Sequence, residues 1–142
     1  MTNVQAALLL GQLDLWDVIL ERKHELFGAY TKRLAGHPQI AMQCSEPGTE
    51  HSRWMFGIRV RGLHDYDLAA AEFLRAGIET RPMFFPINRH GHLRMLGGKH
   101  LIAEQWHREC VILPSWPGIT SSQVDHICEA VDRVCGLVSQ HA

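Results

Sequence analysis

Trp54-Met55-Phe56-Gly57-Ile58-Arg59-Val60-Arg61 is the stretch on which the reading of this chain turns. Trp54, Phe56, Ile58 and Val60 alternate with Met55, Gly57, Arg59 and Arg61. A period of two puts one set on a buried face and the other on a wetter one, which is a half-buried strand. Upstream, Ile40, Met42 and Cys44 alternate with Gln39, Ala41 and Gln43, a short strand joined to the first by the turn chemistry of Ser45-Glu46-Pro47-Gly48-Thr49-Glu50. Downstream, Asp65 caps a helix in which Tyr66, Ala70, Phe73 and Leu74 share a face, and Gly77 ends it. Ile78-Glu79-Thr80-Arg81 reads as a third strand stopped by Pro82. A helix around Leu101 to Arg108 leads to Cys110-Val111-Ile112-Leu113, a buried strand ended by Pro114. The last helix opens on a capping box of Thr120 and Gln123, with Ile119 and Val124 as its hydrophobic staple. Val124, Ile127, Cys128, Val131, Cys135 and Val138 then keep the spacing of a core stripe.

The opening segment reads as one long helix, capped by Thr2 with Gln5 and stopped by Gly36 and Pro38. From Ile19 onward it carries a single apolar stripe, with Lys23 among the charged residues on the wet side. Before that, Leu8, Leu9, Leu10, Leu13, Leu15 and Trp16 surround the axis, a pattern that calls for burial all round. As one helix it would span about 50 Å, whereas a domain of this size is about 37 Å across. Either it breaks, with Gly28 the candidate, or its first half reaches another chain.

The order is helix, strand, strand, helix, strand, helix, strand, helix: an α+β layer of about four short strands packed against helices, in one domain over residues 1–142. The 142 residues are 46% hydrophobic and 20% charged, an ordinary globular balance. Fourteen basic residues against fifteen acidic leave a net charge of −1. That excludes the concentrated basic field of a nucleic-acid binder and a polybasic membrane anchor. No apolar run approaches the roughly 20 residues of a membrane span. Cys44, Cys110, Cys128 and Cys135 form no C-x-x-C pair. They read as small buried hydrophobes in a reducing compartment, which makes the cytoplasm the expected location.

Ten histidines raise a metal site, with His90-Gly91-His92 and the pair His100 and His107 as candidates. No carboxylate or cysteine stands at ligand spacing beside them, so they read as surface or hydrogen-bonding groups. Gly97-Gly98-Lys99 is too little for a phosphate loop, though an anion could rest at the helix start that follows it. Thr80 to His92 is richer in chemistry. Arg81, Pro82, Phe84, Phe85, Pro86, Asn88, Arg89 and His90 combine cations, rings and stiff backbone. Such a loop lines a pocket for a flat or anionic ligand, or is a stiffened connector with its phenylalanines in the core. Composition leaves both open.

Four segments in order resemble DegT/StrS-type sugar aminotransferases. Met1-Thr2-Asn3-Val4-Gln5-Ala6-Ala7 is similar to the helix of that family's N-x-R-M-[ST]-N-x-Q-A-A signature. His51-Ser52-Arg53-Trp54-Met55-Phe56 resembles its small-domain strand, and Ala76-Gly77-Ile78-Glu79-Thr80-Arg81-Pro82 with Phe85-Pro86 its G-I-x-T-R-P segment. Leu113-Pro114-Ser115-Trp116-Pro117-Gly118-Ile119-Thr120 resembles its C-terminal L-P-x-x-P-G-[LI]-T. The resemblance implies the small domain of a fold-type I, pyridoxal-phosphate-dependent enzyme acting on keto nucleotide sugars. It places Arg81, Asn88, Arg89 and His90 toward substrate, with Phe84 and Phe85 anchoring their loop. Asn88 stands where the family has a histidine. The resemblance covers only the family's C-terminal part, without the large domain that carries the Schiff-base lysine. Lys23, Lys32 and Lys99 match no family motif. The expectation is a chain that is catalytically incomplete alone, with pyridoxal phosphate belonging to the family and no cofactor held by this chain by itself. Its expected partner is a second copy through the N-terminal helix, or a separate large-domain subunit. A stand-alone assembly or ligand-binding module is the alternative.

Overall fold

The alternation around Phe56 becomes the second strand of a four-stranded antiparallel sheet. In the computed structural model, which describes residues 1–96 and 100–140, the strands are β1 (Ile40–Met42), β2 (Phe56–Val60), β3 (Arg81–Pro82) and β4 (Cys110–Leu113). Their order across the sheet is β1-β2-β4-β3. Ile40 lies opposite Val60, and Phe56 opposite Leu113. The helices are α1 (Asn3–Leu13), α2 (Trp16–Leu34), α3 (Tyr66–Arg75), α4 (Leu101–Glu109) and α5 (Ser121–Gln140), with two 3-10 turns at Ile87–Arg89 and Gly91–Leu96. This is the α+β layer that the sequence pattern predicts. Among the described residues no helix is long and apolar enough to cross a membrane.

One cluster holds the fold together. Phe56, Ile58 and Val60 of β2 and Val111 and Leu113 of β4 meet Leu26, Tyr30 and Leu34 of α2, Ala69 and Phe73 of α3, and the whole predicted stripe of α5. Burying each such side chain contributes about 1.5–3 kcal/mol. Alternation sends Gly57 and Arg59 to the opposite face, where Met83 and Gln43 lie over Gly57 and Arg59 pairs with Glu109 of α4 at 2.5 Å. Tyr30, in the centre, donates its hydroxyl hydrogen bond to the Pro114 carbonyl at 2.8 Å. The capping boxes of Thr2 with Gln5 and Thr120 with Gln123 both form. Gly36 and Gly77, the expected helix stops, take φ values of 75° and 73°, where a side chain is strained.

Several expectations are corrected. The N-terminal helix breaks at Asp14 and Leu15, not at Gly28. Gly28 costs about 1 kcal/mol of helix propensity, but buried Leu26 and Tyr30 on either side of it tie α2 to the core. Asp14 has no such packing to offset its own poor propensity. The all-round apolar half is not buried within the chain: α1 contains no buried residue. The third strand is Arg81–Pro82 rather than Ile78–Arg81: Ile78, Glu79 and Thr80 lie outside it, and Pro82 is its last residue, paired with Val111 on an edge strand, where proline is tolerated. Leu74 is exposed, and Ala69 takes its place on the buried face of α3.

Cys110, Cys128 and Cys135 are buried, whereas Cys44, expected with them, is exposed. Burial pushes each of the three inner thiols up to about 11. The fold favours their neutral form. Their contribution is therefore complete below the ordinary value of 9.0 and is lost as pH rises from there toward about 11. At pH 8 a disulfide reagent is expected to titrate one thiol rapidly and three more only on unfolding. Rapid reaction of all four would contradict the burial.

Candidate cleft at the edge of the sheet

At the end of β2 and β4 the sheet opens into a cleft of about 800 Å³. Lys23 is among its lining residues. The Lys23 ammonium donates to the Trp54 carbonyl at 2.7 Å and to the Ser115 carbonyl, joining the two strand ends. Burial pushes the Lys23 ammonium below its usual range. Ser115 Oγ accepts from the Phe56 N–H at 3.3 Å, a second tie between the same strands. Arg53 precedes the cleft with a φ of 52°, the left-handed region that non-glycine residues rarely enter. Its N–H donates to His51 Nδ1 at 2.8 Å and its guanidinium to the His51 carbonyl at 3.0 Å. This tight turn sets the direction in which Trp54 leaves the loop. On the other wall, the Trp116 indole lies over Gly118, where a Cβ would stand 1.8 Å from the ring. Only glycine leaves the indole that seat.

The four residues placed toward substrate divide between two locations. Arg81 lines the cleft from β3, opposite Ile112 of β4, with Glu79 at 3.9 Å. Asn88, Arg89 and His90 gather instead around Phe85 and α4. Asn88 Nδ2 donates to Glu104 at 3.2 Å, while its Oδ1 is buried without a partner. The Arg89 guanidinium lies 5.9 Å from the Phe85 ring centre, and His90 meets that ring edge-on at 5.1 Å. His107 of α4 also meets the Phe85 ring edge-on, at 5.2 Å, and donates from Nδ1 to the Met83 carbonyl at 2.9 Å. Arg81 and Arg89 are exposed; Asn88 and His90 are half-buried.

Phe84 and Phe85 do not anchor the loop in the core as expected. Phe85 is 48% exposed, and Phe84 stacks on Trp54 at the surface with centroids 6.3 Å apart. Phe85→Ala is therefore expected to lower stability by about 1–1.5 kcal/mol, from lost ring contacts rather than a core cavity. Arg89→Ala is expected to lower it by about 0.5 kcal/mol. Thermal unfolding of the two variants beside the parent measures both, and a Phe85→Ala cost above about 3 kcal/mol would return that ring to the core.

Sequence reasoning passed over Lys23, which sits on a surface helix stripe. Its partners lie 31 and 92 residues away, so no local signal marks it. Among the described residues no three His, Cys, Asp or Glu side chains converge as a metal site requires. Gly97, Gly98 and Lys99, raised as an anion site, lie outside the described residues.

Lys23 does not fit the Schiff-base role in pyridoxal phosphate chemistry, which needs a free, accessible amine: it is committed to two carbonyls. Lys32 is exposed on α2.

A four-stranded antiparallel sheet backed by helices, entered through the Gly77–Pro82 and Leu113–Thr120 segments, is the small-domain fold of sugar aminotransferases. The chain belongs to the DegT/DnrJ/EryC1/StrS aminotransferase family, whose model matches residues 1–132. It is 31% identical over 133 residues to the GDP-perosamine synthase of Escherichia coli O157:H7, covering 94% of this chain and 36% of that protein. The GDP-perosamine synthase of Vibrio cholerae is likewise 31% identical, over 92% of this chain and 36% of its own length. Spr1654 of Streptococcus pneumoniae, assigned as a sugar aminotransferase, superposes on 97% of this chain with a TM-score of 0.86 at 27% identity, over 36% of its own length. It was solved in PLP and PMP forms, and the family is pyridoxal-phosphate-dependent. This chain thus spans 36% of the length of these relatives.

Proposed function

We propose that this chain serves as the small domain of a pyridoxal-phosphate-dependent aminotransferase acting on a nucleotide-linked keto sugar, GDP-linked as in the name of its relatives, and that alone it is catalytically incomplete. The family match over residues 1–132 carries this reading. Lys23, committed to two carbonyls, does not fit the Schiff-base role. With pyridoxal phosphate added, the chain alone is expected to show no specific Schiff-base absorbance. Stoichiometric binding abolished by a single lysine substitution, Lys99 first, would overturn incompleteness.

Assembly runs through α1, most simply as a two-fold pair of this chain. Val4, Leu8, Leu9, Leu10 and Leu13 are all exposed on it, with Leu15, Trp16 and Val18 continuing the patch into α2. Its 11 residues include no ionisable side chain. A helix that short is marginal in water without packing, and an apolar patch of that extent exceeds what soluble monomers usually expose. A separate large-domain subunit seated on the same exposed α1 face is the second reading. Sedimentation at micromolar concentration tests the first: a lone 16.1 kDa species refutes self-assembly. The free cysteines support a cytoplasmic location.

A further inference from the structure

We infer that the loop before β2 is a proton-operated latch: His51 holds Arg53 in its left-handed turn only while the imidazole is neutral, and protonation releases the turn that sets Trp54 beside the cleft. A backbone N–H can only donate, so the Arg53 N–H at 2.8 Å from His51 Nδ1 requires a lone pair on that nitrogen. The neutral ring supplies it and carries its proton on Nε2. A charged imidazole has an N–H on both nitrogens and no acceptor. Protonation therefore sets two N–H groups against each other where one bond now stands. The contact joins a side chain to the N–H two residues on, as an Asx turn does, with a ring nitrogen in place of the amide oxygen.

Arg53 makes the latch sensitive. Its φ of 52° is one that a non-glycine residue keeps only where its surroundings impose it. Three ties do so: the N–H to His51 Nδ1, the guanidinium to the His51 carbonyl at 3.0 Å, and the guanidinium to Glu50 Oε1 at 3.6 Å. Glu50 is 80% exposed, so the last of these is weak. The first is the tie that a proton removes.

The charged groups that share a hollow with the His51 ring come from α2 and from the loop itself. Lys23, His24 and Lys32 of α2 line these hollows, and Phe27 tilts against the ring with centroids 5.9 Å apart. The β1 side presents Gln43 and Ser45, and the 83–84 segment Met83 and Phe84, all uncharged. Glu50 is the one carboxylate among these lining residues. It already stands 3.7 Å from His24 and 3.6 Å from Arg53. A charged His51 turns toward it and draws it away from Arg53, so one proton weakens two of the three ties. Trp54 is the next residue. Its carbonyl stays with Lys23 at 2.7 Å, while its indole, stacked on Phe84 at 6.3 Å, is placed by the turn. None of His51, Ser52 and Arg53 belongs to the buried cluster, so the latch opens without unfolding the core.

NMR of the isotope-labelled chain between about pH 8 and about pH 5, the window in which imidazoles charge, tests the latch. At the upper end the His51 ring-nitrogen shifts are expected to show a bare Nδ1, and the Arg53 Cα and Cβ shifts a left-handed backbone. As His51 takes up its proton, the Arg53 signals are expected to move to extended values, and the Trp54 indole signal to move with the same midpoint. His51→Asn supplies an oxygen acceptor that does not titrate, so its Arg53 and Trp54 signals should hold their upper-end positions throughout. His51→Phe keeps a ring against Phe27 without an acceptor, and should show the lower-end positions at every pH. His24→Gln should leave the parent's response unchanged. Arg53 signals that stay fixed while His51 titrates, a His51→Asn chain that responds like the parent, or a response lost in His24→Gln would each overturn the inference. The parent and His51→Asn decide between them even where His51→Phe does not fold. The latch is independent of the aminotransferase reading and of assembly through α1, and neither stands or falls with it.

Discussion

The chain carrying Leu9→Glu together with Leu13→Glu is expected to sediment as a 16.1 kDa monomer, and the parent, on the proposed assembly through α1, as a pair. Leu9 and Leu13 are 48% and 52% exposed and stand one helical turn apart, so both lie on one face of α1. Each leucine buried against a partner contributes about 1.5–3 kcal/mol. Replacing both removes that burial and sets two carboxylates in an apolar contact. Every 1.4 kcal/mol is a factor of ten in affinity; the two copies lose four leucines, each with about half its surface left to bury, so the pair should weaken by roughly two to four decades. The same variant is its own control for folding. Since α1 contains no fully buried residue, the unfolding midpoint measured at low concentration should move far less than for a core substitution. A variant that still pairs would remove α1 from the interface.

Phe73→Ala is expected to lower stability by about 3–5 kcal/mol. Phe73 is fully buried in the cluster where α3 meets the sheet and α5. Around it, Glu72 pairs with Arg75 at 2.7 Å and with Arg133 of α5 at 3.2 Å, which limits how far α3 can settle into a cavity. A domain of this size commonly has about 5–15 kcal/mol in all, so the midpoint should fall by roughly 10–15 °C. Chemical denaturation beside Phe85→Ala supplies the contrast: the two rings differ in burial, and their costs should differ by a factor of about two or more. Equal costs would mean that the 83–90 loop is packed as tightly as the core.

Much of the fold is legible because its signals are local. The period of two from Phe56 to Val60, the Asp65 cap, the stops at Gly36 and Gly77, the Thr120 capping box and the α5 stripe all follow from backbone geometry and neighbouring residues, whereas Trp54, expected on the buried face, precedes the strand and is 67% exposed. The family motifs are equally local, and the match over residues 1–132 follows them. Where local rules compete, tertiary contact decides. Gly28 stays helical because Leu26 and Tyr30 are packed, and Pro82 stays in the sheet because β3 has only one neighbour.

The candidate site divides along the same line. Arg81 could be picked from the sequence, since a cation in a Pro-stiffened loop leaving a strand is itself a signal. Its separation from Asn88, Arg89 and His90 could not, because those three are drawn to Phe85 and α4 by contacts with Glu104 and with the ring. Lys23, Trp54 and Ser115 meet only when β2 lies beside β4 and α2 crosses both. Sequence alone determined which residues alternate, which helices begin and end where, and to which family the segments are related, because each depends on a few neighbouring side chains. Tertiary structure decided which rings are buried, which cation faces the cleft and that α1 stands uncovered, because burial is a property of what packs across the chain.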